Sequence, residues 1–237
     1  MSRKSRMQEV QAAAAAQEMA ARKRRNMILT LVIVLAVVML GVGTVLLNGW
    51  GKDEAQGSGE VPTPVASHQV EIDVKDYGVI TAELYGNVAP ITVANFAKLA
   101  GEGFYDGLTF HRIISGFVIQ GGDPNGNGTG GSPDTIKGEF SANGVNNPIA
   151  HERGVLSMAR SNAPDSASSQ FFIMHQAAPH LDGAYAAFGR VLTGMEIVDA
   201  ICDQTPVTDV NGSVRPENQP VINSIRVTEI QQNETNE

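Results

Sequence analysis

The stretch Phe110-His111-Arg112-Ile113-Ile114-Ser115-Gly116-Phe117-Val118-Ile119-Gln120-Gly121-Gly122-Asp123 sets one guanidinium among apolar residues and a glutamine eight positions later. Fifty residues on, Ser169-Gln170-Phe171-Phe172-Ile173 again places an amide beside aromatic rings. An arginine stays protonated at any working pH and offers hydrogen-bond donors in a fixed fork. Amides can orient it, and aromatic faces suit a compact apolar ring. This chemistry is donation and binding, without nucleophilic attack. No Gly-x-Ser-x-Gly turn is present, and Ser157 and Ser169 have no adjacent base in sequence. His111, His151, His175 and His180 lack metal-ligand spacing, and Cys202 is the single cysteine, so neither a metal nor a cofactor is expected. Asp123 to Asp134 approaches a calcium-loop pattern, but Asp stands where the bidentate Glu belongs and no amphipathic helices flank it. The same glycine-rich run lacks Gly-Lys-Ser/Thr, so it is no phosphate-binding loop.

Short strands must carry these residues. Val70, Ile72 and Val74 alternate with polar residues, Asp76-Tyr77-Gly78 interrupts, and Ile80, Ala82 and Leu84 alternate again, which predicts a hairpin. Further apolar runs at Leu108–Ile114, Phe117–Gln120, Gly154–Ala159, Gln170–Met174, Ala186–Val191 and Val221–Thr228 are separated by turn residues. Helical spacing occurs twice. One segment runs from Pro90 to Gly101, with proline at the first helical position, and the other from Met195 to Cys202. On a strand, Phe171 and Phe172 face opposite sides, which predicts Phe171 in the core, and His111 should point away from Arg112. Many strands with two helices indicate a mainly β fold, a barrel with covered ends.

Ahead of this domain the composition changes. Residues 1–26 carry seven Lys/Arg against two Glu, whereas the remainder carries ten against twenty-three Asp/Glu. So acidic a domain repels phosphates, and no nucleic-acid partner is expected. Met27 to Leu47 holds 21 residues without a charge. As a helix it spans about 31 Å, the thickness of a bilayer's hydrocarbon core. Arg22-Lys23-Arg24-Arg25 precedes it, and the positive-inside rule then places the N-terminus in the cytoplasm and the domain outside the cell membrane. The alternative is a cleaved signal peptide with Gly41-Val42-Gly43 as the processing site, which would leave a secreted product. The expected organisation is a basic segment 1–26, a single transmembrane anchor 27–47, a flexible linker 48–67, a domain 68–231 and a polar tail 232–237.

Phe-His-Arg-Ile-Ile-Ser-Gly-Phe-Val-Ile-Gln and Ser-Gln-Phe-Phe-Ile resemble the two signature segments of the cyclophilin family of peptidyl-prolyl cis-trans isomerases. The resemblance covers the domain and implies a closed antiparallel eight-stranded barrel capped by two helices. It also implies roles. Arg112 would be catalytic with Gln120 orienting it, and Phe117, Val118, Phe172 and Leu181 would line a proline pocket. Gln170 would bind substrate, and Ala159, Arg160 and Ser161 would form an edge that pairs with a peptide backbone. His180-Leu181-Asp182-Gly183-Ala184-Tyr185 stands where eukaryotic members often have Trp-Leu-Asp-Gly-x-His. His180 in place of that Trp implies weakened cyclosporin binding, and Tyr185 can still donate a hydrogen bond. Arg160, Ser161 and Tyr185 give the domain a bacterial look. The implied partners are proline-containing polypeptides, and the implied task is assisting proteins that fold after export. A non-catalytic groove that holds proline segments as a chaperone or scaffold is the alternative.

Overall fold

The computed structural model describes residues 61–231. The basic segment, the anchor, most of the linker and the polar tail lie outside those residues. Among the described residues no helix is long and apolar enough to cross a membrane.

Eight strands and two helices follow one another as β1 (His68–Val74), β2 (Gly78–Leu84), α1 (Pro90–Gly101), β3 (Phe110–Ile114), β4 (Val118–Gly121), β5 (Val155–Met158), β6 (Phe171–Met174), β7 (Ala187–Thr193), α2 (Met195–Gln204) and β8 (Ile222–Glu229). Each lies within a residue or two of the segment its hydrophobic pattern predicts. All ladders are antiparallel, in the order β3-β4-β6-β5-β7-β2-β1-β8. The expected closed barrel is corrected to a curled eight-stranded sheet. No ladder joins β3 to β8. The two outer strands meet only at an isolated bridge, Thr109 to Val221, flanked by Phe110 N–H to Pro220 O (2.9 Å) and Ile222 N–H to Leu108 O (2.8 Å). The seam lies at the entry to both strands, so further along them the edge of β3 is left for another segment to pair with.

The core fills the concave side of the sheet. Val70, Ile72, Val74, Ile80, Ala82 and Leu84 all point into it from the first hairpin, as their alternation requires. Helix α1 packs on β8, and Val93, Phe96, Leu99 and Ala100 bury its apolar stripe. Its first-turn N–H groups have no intrahelical acceptors. The buried Glu139 supplies them, accepting from Ile91 N (3.0 Å), Thr92 N (2.8 Å) and Thr92 Oγ1 (2.7 Å). A carboxylate also suits the positive end of the helix. Helix α2 covers β2, β3 and β4 with Ile197, Val198 and Ile201.

Strands β4, β5 and β6 differ from the hairpin because both of their faces are buried. Ile119, Leu156, Met158, Phe171 and Ile173 enter the main core. Val118, Val155, Phe172 and Met174 form a second apolar cluster on the convex side with Ala178, Leu181 and Ala187. That second cluster is the floor of the site.

Phe171 sits in the main core edge-on to Phe96, Tyr105 and Phe110, with centroids 5.4, 5.7 and 6.1 Å away. Phe171→Ala is therefore expected to lower the free energy of unfolding in urea by about 3–5 kcal/mol, the range for a buried aromatic replaced by alanine. A loss below about 1 kcal/mol would contradict this packing.

Candidate active site

Arg112 on β3 lies opposite Gln120 on β4, an eight-residue spacing that the hairpin turns into a cross-strand pair. Arg112 Nη1 donates to Gln120 Oε1 (3.0 Å), Gln120 Nε2 donates to Gln170 Oε1 (2.9 Å), and Gln170 Nε2 donates to Gly130 O (2.7 Å). Each amide accepts on one side and donates on the other, so the relay has one direction and fixes both amide orientations. On its other side Arg112 Nε donates to Asn211 O (2.9 Å). Among the described residues Nη2 makes no hydrogen bond, which leaves one edge of the fork free.

Asn211 belongs to a loop that acts as an extra partner for β3. Ile113 N–H donates to Gly212 O (2.8 Å), Val214 N–H donates to His111 O (3.0 Å), and Ser213 bridges Arg112. Asp209 Oδ1 holds the loop by accepting from Asn211 N (2.9 Å) and Ser213 N (3.2 Å). Gly212 adopts φ 79° where the loop meets β3, and a Cβ there would collide with Ile113 O. Sequence reading missed this loop because Asn211 stands 99 residues from Arg112.

Arg112 lies in the wall of a cleft of about 770 Å³. Ten predicted residues line it together: Arg112, Phe117, Val118, Gln120, Ala159, Arg160, Phe172, His180, Leu181 and Tyr185. Gln170 and Ser161 line an adjoining cleft of about 340 Å³, which shares Gln120, Gly128, Ala159 and Arg160 with the first. His180 stacks on Phe117 (5.7 Å between centroids, 23° between planes).

Three expectations need correction. First, His111 also lines the larger cleft. A bulge between Phe110 and Arg112 breaks the alternation that would have turned it away. His111 is 4% exposed and neither ring nitrogen has a partner among the described residues. Burial, aided by the nearby Arg112 charge and opposed by Asp123, holds its pKa below the ordinary histidine value. Second, Ala159, Arg160 and Ser161 lie beyond the end of a strand rather than on one. Strand β5 ends at Met158 and is paired on both sides, by β6 and β7. Ala159 N–H donates to Gln170 O (2.9 Å), and Ser161 N–H is taken by Ser166 Oγ (3.0 Å) as the chain turns away. Third, Ser157 does have a base in space. His151 Nε2 lies 3.0 Å from Ser157 Oγ, and His151 Nδ1 lies 3.0 Å from Asp182 Oδ1.

That Ser-His-Asp arrangement is sealed. Ser157 is wholly buried, and the His151 ring stacks behind Phe172 (6.1 Å, 24°) and lies nearly perpendicular to Tyr185 (6.4 Å, 80°). Burial keeps the His151 pKa low despite the Asp182 carboxylate, so the ring is neutral with one N–H. Asp182 draws that proton to Nδ1, leaving Nε2 to accept from Ser157. The triad props the aromatic wall of the cleft. The carboxylate that opens the glycine-rich loop is bound by that loop's own backbone. Asp123 is buried and accepts from Asn125 N (2.8 Å), Asn127 N (3.0 Å) and Gly128 N (2.6 Å), which shapes the glycine-rich rim.

The family model for cyclophilin type peptidyl-prolyl cis-trans isomerase/CLD matches residues 69–227. The chain belongs to this family. Peptidyl-prolyl cis-trans isomerase B of Bacillus subtilis is 55% identical over 123 residues, 52% of this chain and 82% of that relative. A Helicobacter pylori peptidyl-prolyl cis-trans isomerase is 44% identical over 137 residues, 58% of this chain and 80% of that one. Among solved structures, a cyclophilin type isomerase of Cryptosporidium parvum, crystallised in the presence of the dipeptide Ala-Pro, superposes with a TM-score of 0.59 at 32% identity, covering 68% of this chain and 98% of its own.

The two neutral histidines give this cyclophilin a pH signature. Their pKa values are lower in the folded than in the unfolded chain, so below about pH 6.5 the unfolded chain binds more protons. The stabilisation is complete above that pH and is lost as pH falls toward the folded values. Unfolding free energies measured between pH 7 and pH 5 are expected to decline, and His111→Gln is expected to flatten part of that slope. An unchanged slope in the variant contradicts the assignment of a buried neutral His111.

Proposed function

We propose that this cyclophilin catalyses cis-trans isomerisation of X–Pro bonds through Arg112, with Gln120 as its orienting partner. The observation that carries the reading is the free Nη2 edge of Arg112, aimed by the Gln120–Gln170 relay beside an apolar cleft. An X–Pro bond resists rotation by about 18–20 kcal/mol because its C–N bond has partial double-bond character. In the twisted state that conjugation is lost, and the nitrogen becomes pyramidal and carries a lone pair. A guanidinium N–H directed at this nitrogen bonds the twisted amide better than the planar one, which is the differential binding that accelerates a reaction. No bond is made or broken, and no proton need leave the arginine.

The remaining residues have binding roles in this scheme. Phe117, Phe172 and Leu181 receive the proline ring, with Val118 in the floor between them. Tyr185, half-buried at the rim, offers its hydroxyl to the peptide. Ala159, Arg160, Ser161 and Gln170 flank the peptide on the side of the smaller cleft. The Ala-Pro dipeptide named with the Cryptosporidium parvum protein supports a proline peptide as the ligand. A stacked His180 offers a smaller surface than an indole, so cyclosporin is expected to bind weakly.

For the remainder of the chain, the uncharged run Met27–Leu47 behind Arg22-Lys23-Arg24-Arg25 supports a single-pass anchor in the cell membrane with the isomerase outside. The clients are then polypeptides that fold after export.

Arg112→Ala is expected to lower kcat/KM on an Ala-Pro test peptide by about 100-fold or more, the scale seen when a transition-state donor is removed, with the circular-dichroism spectrum unchanged. Turnover near the unmutated level in a folded variant sinks the mechanism and favours a binding-only groove. Fractionation tests the anchor. The intact-mass chain should pellet with membranes and come free with detergent but not with salt, whereas a soluble product lacking residues 1–43 overturns it.

A further inference from the structure

Arg160 joins the two clefts, and its guanidinium is fixed before any ligand arrives. Nε donates to Ala184 O (3.0 Å) and Nη1 to Ser161 O (2.9 Å), while the cation lies 5.0 Å from the Phe140 ring centroid and 4.8 Å from that of Tyr185. A guanidinium held in this way has little side-chain entropy left to lose when it meets an anion. Its Nη2 makes no hydrogen bond among the described residues, and the side chain lines both clefts. Arg112 offers a second cation in the same groove.

No carboxylate lines either cleft. Three of the acids near the groove by sequence are committed elsewhere, while Glu217 and Asp134, beside the lining residues Pro216 and Ser132, line neither cleft themselves. Asp123 serves its own loop, Asp182 holds His151, and Asp165 accepts from Gly138 N (3.0 Å) and Asn143 Nδ2 (2.7 Å). The groove is thus cationic in a chain whose residues after 26 carry ten Lys/Arg against twenty-three Asp/Glu. Distant acids act weakly on a bound peptide because charges more than about 8 Å apart are screened at physiological salt. The cations at contact range decide the preference.

We infer that Arg160 selects peptides with an acidic side chain flanking the proline, a specificity that rests on the isomerase reading above. A purely structural Arg160, bracing Tyr185 and Phe140, would affect all peptides alike. Selection by charge affects their ratio.

The test uses the full chain in a nonionic detergent and two-dimensional exchange NMR, which needs no coupling protease. Turnover of a neutral Ala-Pro peptide first establishes the isomerase activity independently. Glu and Lys are then placed in turn at each position beside the proline. At one of these positions the Glu peptide is expected to exceed the Lys peptide in kcat/KM by about tenfold, the effect of one partly desolvated charge contact. Arg160→Gln should bring that ratio within about twofold, and Arg160→Lys should keep most of it. If Arg160→Gln fails to fold, Arg160→Met, which retains apolar contact with Phe140 and Tyr185, gives the same readout. Equal turnover of Glu and Lys peptides at every position, or an undiminished ratio without the charge at 160, overturns the inference and leaves the isomerase reading standing.

Discussion

The geometry of the site depends on how one arginine is held. Arg112 would sweep a wide volume if its side chain were free, and a donor that must meet a transient lone pair cannot afford that motion. The relay through Gln120 and Gln170 to Gly130 O grips one side of its fork, and Asn211 O grips the other. Both grips come from neutral oxygens, so the positive charge remains uncompensated. A carboxylate partner would have held the arginine more strongly, but it would have drawn the fork toward itself and away from a ligand. Neutral restraint of a full charge is the constraint around which the loop 208–214, the β3–β4 hairpin and the end of β6 are arranged.

The second requirement is an apolar floor beside that charge. It is met by strands that are buried on both faces. Phe171 and Phe172 show the division, one locked edge-on among Phe96, Tyr105 and Phe110, the other facing the cleft. Behind Phe172 the neutral His151 spans Ser157 and Asp182, a buried polar group with both ring nitrogens satisfied. Such a network is stiff because each member has one permitted role. The same three residue types that attack substrates elsewhere here hold an aromatic ring in place, since Ser157 has no exposure.

Much of this was legible in the chain. Alternation located the strands, Pro90 marked the first helix, and ten of the twelve candidate residues share one cleft while the other two line its neighbour. What escaped notice depends on distant partners. The bulge that turns His111 toward the cleft is a property of the β3–β4 pairing, invisible in a pattern of alternating residues. Pairing on both sides makes β5 interior, though its sequence reads like any short strand. The base beside Ser157 lies only six residues away, but a turn folds it back, and adjacency in sequence was the wrong measure. The seam between β3 and β8 rests on a single bridge that local periodicity has no means to report.

The central claim is that Gln120 contributes to catalysis through Arg112. A double-mutant cycle on kcat/KM tests it directly, because residues that act as a unit are not additive. With Arg112→Ala as the background, adding Gln120→Ala should cost no more than about twofold, although Gln120→Ala alone lowers the rate substantially. If the two losses multiply instead, the glutamine acts independently of the arginine and the relay is not what aims the guanidinium.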